Sequence, residues 1–224
     1  MRAMTMPAPV ISALEALVRL REGNHRYAQN VRSVDALVSH SRRDMASQSP
    51  VAIVIGCSDS RAPAEIVFDQ GLGDLFVIRV AGNIVAPSQI GSVEFAAERF
   101  GTRLVVVMGH THCGAIDATL EAIAEPGGAK HGNMQSIVNR VRPAVEALVR
   151  TELARDPERL RREAVRANVR ASVNHLRHGS EVIEQLAQHD NLLVVGAELD
   201  LTTGVVDFFE SVPETPNPEL REKH

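Results

Sequence analysis

Four short apolar runs constrain this chain more than any other feature: Val51-Ala52-Ile53-Val54-Ile55-Gly56, Leu75-Phe76-Val77-Ile78-Arg79-Val80, Leu104-Val105-Val106-Val107-Met108-Gly109 and Asn191-Leu192-Leu193-Val194-Val195-Gly196. Runs of this length, rich in β-branched residues and without polar alternation, read as strands buried on both faces, the mark of a parallel sheet covered by helices. Between and before them the apolar spacing is helical. Ile11 to Gln29 carries Leu14, Leu17, Val18 and Tyr27 on one period, and Ser33 to Ser47 repeats it with Leu37, Val38 and Met45 behind a cap at Ser33 or Asp35. A short helix follows Pro63, Ser88 caps a helix that Gly101 closes, and Ala115 to Ile123, Asn133 to Leu153 and Glu158 to Gln188 read as further helices. Thr203-Gly204 turns the chain into an edge strand, Val205 to Phe209.

The expected architecture is therefore α/β: a mostly parallel central sheet with an antiparallel edge strand, flanked by helices, in one domain spanning 1–224. Residues 1–47 form an N-terminal helical arm of the kind that often packs on a neighbouring subunit. Pro213, Pro216 and Pro218 leave 211–224 as an extended or disordered tail.

Two of the strands end in polar clusters: Cys57-Ser58-Asp59-Ser60-Arg61 after the first, and His110-Thr111-His112-Cys113-Gly114 after the third. In open α/β sheets, ligands bind outside the carboxyl ends of the strands, so these clusters are expected to converge. Cys57, His110 and Cys113 offer two thiolates and an imidazole, a donor set suited to tetrahedral Zn2+. Three ligands leave a fourth position for water, as in catalytic zinc sites. Asp59 leaves two arrangements open: its carboxylate either closes that position or pairs with Arg61. The alternative for the cysteines is a disulfide between them or two inert buried thiols. His112 reads as a surface residue or one that supports His110 from outside the ligand set.

Composition narrows the partners. The formal net charge is −4 and aromatic residues are 3% of the chain, with no Trp and one Tyr, so neither phosphate backbones nor stacked bases have a platform here. Only two cysteines occur in 224 residues, too few for a secreted disulfide scaffold and consistent with a reducing compartment. No apolar stretch approaches the ~20 residues that span a bilayer, and Arg2, Glu15, Arg19, Arg21 and Glu22 interrupt any signal-peptide core. The expectation is a cytoplasmic protein without membrane or nucleic-acid partners.

The two polar clusters together resemble the β-class carbonic anhydrases. Ala81-Gly82-Asn83, Gly91-Ser92-Val93-Glu94-Phe95 and Val194-Val195-Gly196-Ala197-Glu198 extend the likeness, which runs from about Leu14 to Phe209. The resemblance implies zinc on Cys57, His110 and Cys113 and reversible hydration of carbon dioxide to bicarbonate and a proton, by attack of zinc-bound hydroxide. With two thiolates on the metal, the water pKa is expected to be high and activity to rise into mildly alkaline pH. It further implies a switch: Arg61 holds Asp59 away from the metal, and on release Asp59 becomes a fourth ligand, a closure favoured at low pH. Gln48, Phe76 and Gly114 match substrate-side positions, Gln48 across a dimer interface, so the assembly is expected to be a homodimer or homotetramer with its active sites at that interface. Phe95 stands where many relatives carry tyrosine. Val54 stands where a bicarbonate-inhibited subgroup carries tryptophan, which favours the uninhibited subgroup, while Arg79 occurs in both. Two other readings fit the same residues: hydrolysis of carbonyl sulfide or carbon disulfide, and a permanently closed four-ligand zinc site in a non-catalytic interaction protein.

Overall fold

The computed structural model describes residues 11–32, 48–125 and 132–213. Five strands form one sheet: β1 Ala52–Gly56, β2 Leu75–Arg79, β3 Leu104–His110, β4 Leu193–Leu199 and β5 Val206–Glu210, in the spatial order β2-β1-β3-β4-β5. The first four run parallel, and β5 lies antiparallel against β4 at the edge. Every residue of β1 and β3 is buried, which is why these two strands carry no polar alternation. The described helices are α1 Ala13–Ala28, α2 Ala64–Val67, α3 Pro87–Phe100, α4 Gly114–Ala124, α5 Gln135–Val145, α6 Pro157–His178 and α7 Glu181–His189.

Strand alternation divides the core between the two faces of the sheet. Val54, Val106 and Val195 meet Leu17, Leu20 and Phe68 on one side. On the other, Ile53, Ile55, Val105, Val107 and Val194 meet Val93 of α3 and Val169 and Val173 of α6. Both faces are therefore covered, as the apolar runs require.

Several local expectations are corrected. Helix α1 buries Ala13, Ala16, Leu17, Leu20 and Gly23, whereas Leu14 and Val18 remain 47% and 44% exposed. The small residues choose the face: Gly23 lies so close to the Phe68 carbonyl that a Cβ there would sit 1.8 Å from the oxygen. This first helix of the arm thus docks on its own sheet. Asn24 fastens it there, donating to the carbonyls of Val67 at 3.3 Å and Gly204 at 2.8 Å and accepting from the Val206 amide at 2.8 Å.

Ser88 is not the cap of α3. Pro87 occupies the first helical turn after Ala86, which makes no side-chain cap bond. The long run from Glu158 is two helices, because Ser180 starts α7 by accepting from the Ile183 amide at 3.1 Å while donating to Glu94 at 2.6 Å. The run from Asn133 ends as helix at Val145 and continues in two 3-10 turns split by the extended Thr151. The helix expected over 33–47 and the tail beyond residue 213 lie outside the described residues. Among the described residues, no helix is long and apolar enough to cross a membrane.

Candidate metal centre

β1 and β3 are neighbours in the sheet, in register from Ile53 opposite Val105 to Gly56 opposite Met108. Cys57 follows β1 directly, His110 is the last residue of β3, and Cys113 precedes the first residue of α4. Their ligand atoms lie within 4.8 Å of one another, and all three residues are buried. The two sulfurs are 4.0 Å apart and both cysteines are free, so the disulfide alternative does not describe this structure.

The imidazole is aimed. The Thr111 carbonyl lies 2.9 Å from His110 Nδ1, which puts the ring proton on that nitrogen and leaves the Nε2 lone pair inward. Nε2 is buried without a hydrogen-bond partner. An orphaned imidazole nitrogen facing two sulfurs is costly unless something accepts its lone pair.

The electrostatics favour a cation. The Cys57 pKa is drawn well down by the hydrogen bond it shares with Cys113, helped against burial by His110 and by the backbone of Asp59 and Gly82. The Cys113 pKa is pushed up by the same hydrogen bond, by burial and by the Cys57 charge. The opposite shifts of the two neighbouring thiols show that ionising one opposes ionising the other, a repulsion that a cation between them relieves. Burial opposes protonation of His110, but Cys57, the Thr111 carbonyl and the Asp59 charge raise its pKa above the ordinary value. Positive charge is thus attracted to the centre even at a buried ring. The Gly82 amide adds a donor to Cys57 Sγ at 3.3 Å. It reaches this position because the backbone there turns at φ 68°, where a Cβ would press on Ala115 at 3.1 Å.

Asp59 borders the cluster and belongs to Arg61. Arg61 donates from its amide and Nε to Oδ1, both at 2.9 Å, and from Nη2 to Oδ2 at 2.7 Å. The hydrogen bond from Arg61 holds the Asp59 carboxyl well below the usual carboxylate range. Oδ2 remains 3.9 Å from His110 Nε2, near the centre without being part of it. Arg61 Nη2 also reaches the His112 carbonyl at 3.3 Å, so one guanidinium touches both polar loops. His112 itself stands at φ 55°, a left-handed turn that carries the chain from His110 to Cys113.

The expected residues do not all meet. Gly114 opens α4 beside Cys113. Gln48, four residues before β1, and Phe76, opposite Ile53, lie toward the amino end of the strands, away from the carboxyl edge that holds the cluster. Phe76 instead packs against Phe95 and Phe100, with ring centroids 6.2 and 6.1 Å away. Arg79, which the resemblance marks only as common to both subgroups and gives no role at the metal, donates to the carbonyls of Cys57 and Asp59. An arginine closing an otherwise apolar strand at the carboxyl edge was the available signal for it.

Fold and site define an α/β protein with a buried Cys-His-Cys centre at the carboxyl edge of its sheet, bordered by a restrained carboxylate. Comparison with known proteins gives the family. The family model described as carbonic anhydrase matches residues 52–206. Carbonic anhydrase 2 of Mycobacterium tuberculosis is 36% identical over 197 residues, 88% of this chain and 92% of that protein. The carbonic anhydrase of Mycolicibacterium smegmatis is 36% identical over 201 residues, covering 89% and 95%. Among solved structures, the β-carbonic anhydrase CafA of Aspergillus fumigatus superposes with a TM-score of 0.68 at 24% identity, covering 90% of this chain and 92% of that one. A tetrameric β-carbonic anhydrase of Sordaria macrospora does so with 0.63 at 25% identity, covering 73% and 82%. The chain belongs to the β-carbonic anhydrase family and is a carbonic anhydrase. Its cofactor is zinc, and the donor set and orphaned Nε2 of the Cys57-His110-Cys113 group fit that metal.

Proposed function

We propose that this chain hydrates carbon dioxide reversibly to bicarbonate and a proton at Cys57, His110 and Cys113, with Asp59 and Arg61 controlling the fourth position. Zinc bound there supplies Lewis acidity, lowering the pKa of water so that hydroxide is available to attack a small neutral electrophile. The two thiolates cancel the formal charge of the ion, which sets the working pH toward the mildly alkaline. Asp59, fixed by a two-pronged contact, presents a carboxylate edge that accepts a hydrogen bond from the nucleophile and orients it. Released by Arg61, the same carboxylate would be free to serve as a fourth ligand and exclude water. The observation that carries this reading is the Asp59–Arg61 pair beside the orphaned His110 Nε2. It also favours a switchable site over a permanently closed one.

Gln48 and Phe76 act on this reading in a partner subunit's site, which accounts for their distance from the cluster in their own chain. The working unit is a homodimer or a homotetramer of one-domain chains. The tetrameric Sordaria macrospora enzyme supports an oligomer. Gly114 lines the approach to the centre.

Stopped-flow hydration of carbon dioxide by the purified protein, with zinc measured on the same sample, tests the proposal. One zinc per chain and turnover rising with pH are expected. A zinc-loaded protein inert toward carbon dioxide, or one faster with carbonyl sulfide, overturns it.

A further inference from the structure

Arg79 is the last residue of β2 and stands opposite Gly56, the last residue of β1. Beyond Gly56 the chain leaves the sheet as Cys57-Ser58-Asp59, and the carbonyls of that segment have no strand beside them on the β2 side. The Arg79 side chain takes the place of that strand. Its Nε donates to the Cys57 carbonyl at 3.0 Å and its Nη2 to the Asp59 carbonyl at 2.5 Å. The Asp59 carbonyl accepts in addition from the Ala62 amide at 3.1 Å. The Asp59 carboxylate is held separately, by Arg61.

From this division of labour we infer that Arg79 is a positioning residue for the gate: it fixes the backbone between a metal ligand and the gating carboxylate, so that Asp59 changes partner by side-chain rotation alone. The inference rests on the gating role proposed for Asp59 above. A planar guanidinium spans two carbonyls at a fixed separation with charge-assisted bonds. A lysine ammonium is a single point charge and does not reproduce the fork. With the fork removed, the segment loses its lateral support, and two consequences follow together. Cys57 Sγ is less well placed toward His110 and Cys113, and Asp59, whose Oδ2 is already 3.9 Å from His110 Nε2, settles more readily into the closed position.

The test compares zinc-loaded wild type, Arg79→Gln, Arg79→Lys and Arg61→Gln by the pH dependence of kcat/KM and by the rate at which a chelator extracts zinc. For Arg79→Gln the midpoint of the pH profile is expected to rise by about one unit and zinc extraction to quicken about tenfold. Arg79→Lys shows most of both changes and carries the test if the glutamine variant does not fold. A merely structural arginine would lower the melting temperature and leave the midpoint in place. Wild-type midpoints and extraction rates in both Arg79 variants, with a shifted midpoint in Arg61→Gln, overturn the role of Arg79 alone. An unshifted midpoint in Arg61→Gln overturns the gate itself.

Discussion

Arg61 holds Asp59 by two parallel contacts, Nε to Oδ1 at 2.9 Å and Nη2 to Oδ2 at 2.7 Å, and its own amide adds a third. Two-pronged geometry fixes direction as well as distance. Replacing Arg61 with lysine keeps the charge and removes the fork, so the carboxylate is freed toward the centre. Arg61→Lys is expected to retain one zinc per chain and to lose about 10- to 100-fold in kcat/KM near neutral pH. Paired zinc analysis and stopped-flow rates check this. Full activity in the lysine variant would mean that charge alone keeps the gate open.

The Asp59 carboxyl is held below the ordinary carboxylate range by the hydrogen bond from Arg61. A depressed folded pKa contributes stability that is complete above the unfolded value and lost only as pH falls through the folded one. Between about pH 5 and pH 9, both above the ordinary carboxylate pKa, that contribution is constant. With both proteins zinc-loaded, so that His110 does not titrate, the stability gap between wild type and Asp59→Asn, measured by urea unfolding, is therefore expected to be flat across this window. An acid limb of activity inside this window is therefore expected to report a group other than Asp59. A carbon-13 resonance of Asp59 that titrates near pH 6 would contradict this account.

Glu198 is 3% exposed, and only one of its oxygens has a partner: Arg166 Nη1 donates to Oε2 at 3.0 Å while Oε1 is buried and unpaired. The same guanidinium reaches Asp207 at 2.8 Å and lies over the Phe209 ring at 4.0 Å, joining β4 and β5 to α6. Arg166→Ala leaves a buried carboxylate with only the more distant Arg162, a loss of about 3 kcal/mol. Burial already raises the Glu198 pKa despite both arginines. The penalty is accordingly largest above that raised value and eases as pH falls and Glu198 takes up a proton. Denaturant unfolding at pH 8 and pH 5 measures the difference.

Two glycines in helices give opposite expectations. At Gly23 a methyl group meets the Phe68 carbonyl carbon and oxygen, which are backbone and cannot turn aside, so Gly23→Ala displaces α1 and costs about 1–3 kcal/mol or more. At Gly91, within α3, an added Cβ meets nothing within 4 Å, and Gly91→Ala gains about 0.5–1 kcal/mol from helix propensity. Thermal melts of the two variants should move in opposite directions.

The sheet was legible because β1 and β3 are buried on both faces and advertise it in unbroken apolar runs. The ligands were legible because each lies within four residues of the end of such a run. What escaped depends on close approach between distant segments. The buried face of α1 is decided by Gly23 against Phe68, not by Leu14 and Val18, whose spacing is equally helical. The break at Gly179-Ser180 has local chemistry, but its anchor is Glu94 on another helix. Arg79 reads in sequence as one charge at a strand end. Its role appears only once Gly56 is seen beside it and the Cys57–Asp59 loop passes over its head.

The strand order has a consequence for how the protein is made. Cys57 emerges early in synthesis, while His110 and Cys113 come only after β2 and α3, and the strands that carry them become neighbours by closing a loop around those elements. A nascent chain therefore has no complete ion-binding constellation until α4 begins. Capture of the metal marks a finished β1–β3 seam, and partly built sheets have little with which to sequester the ion.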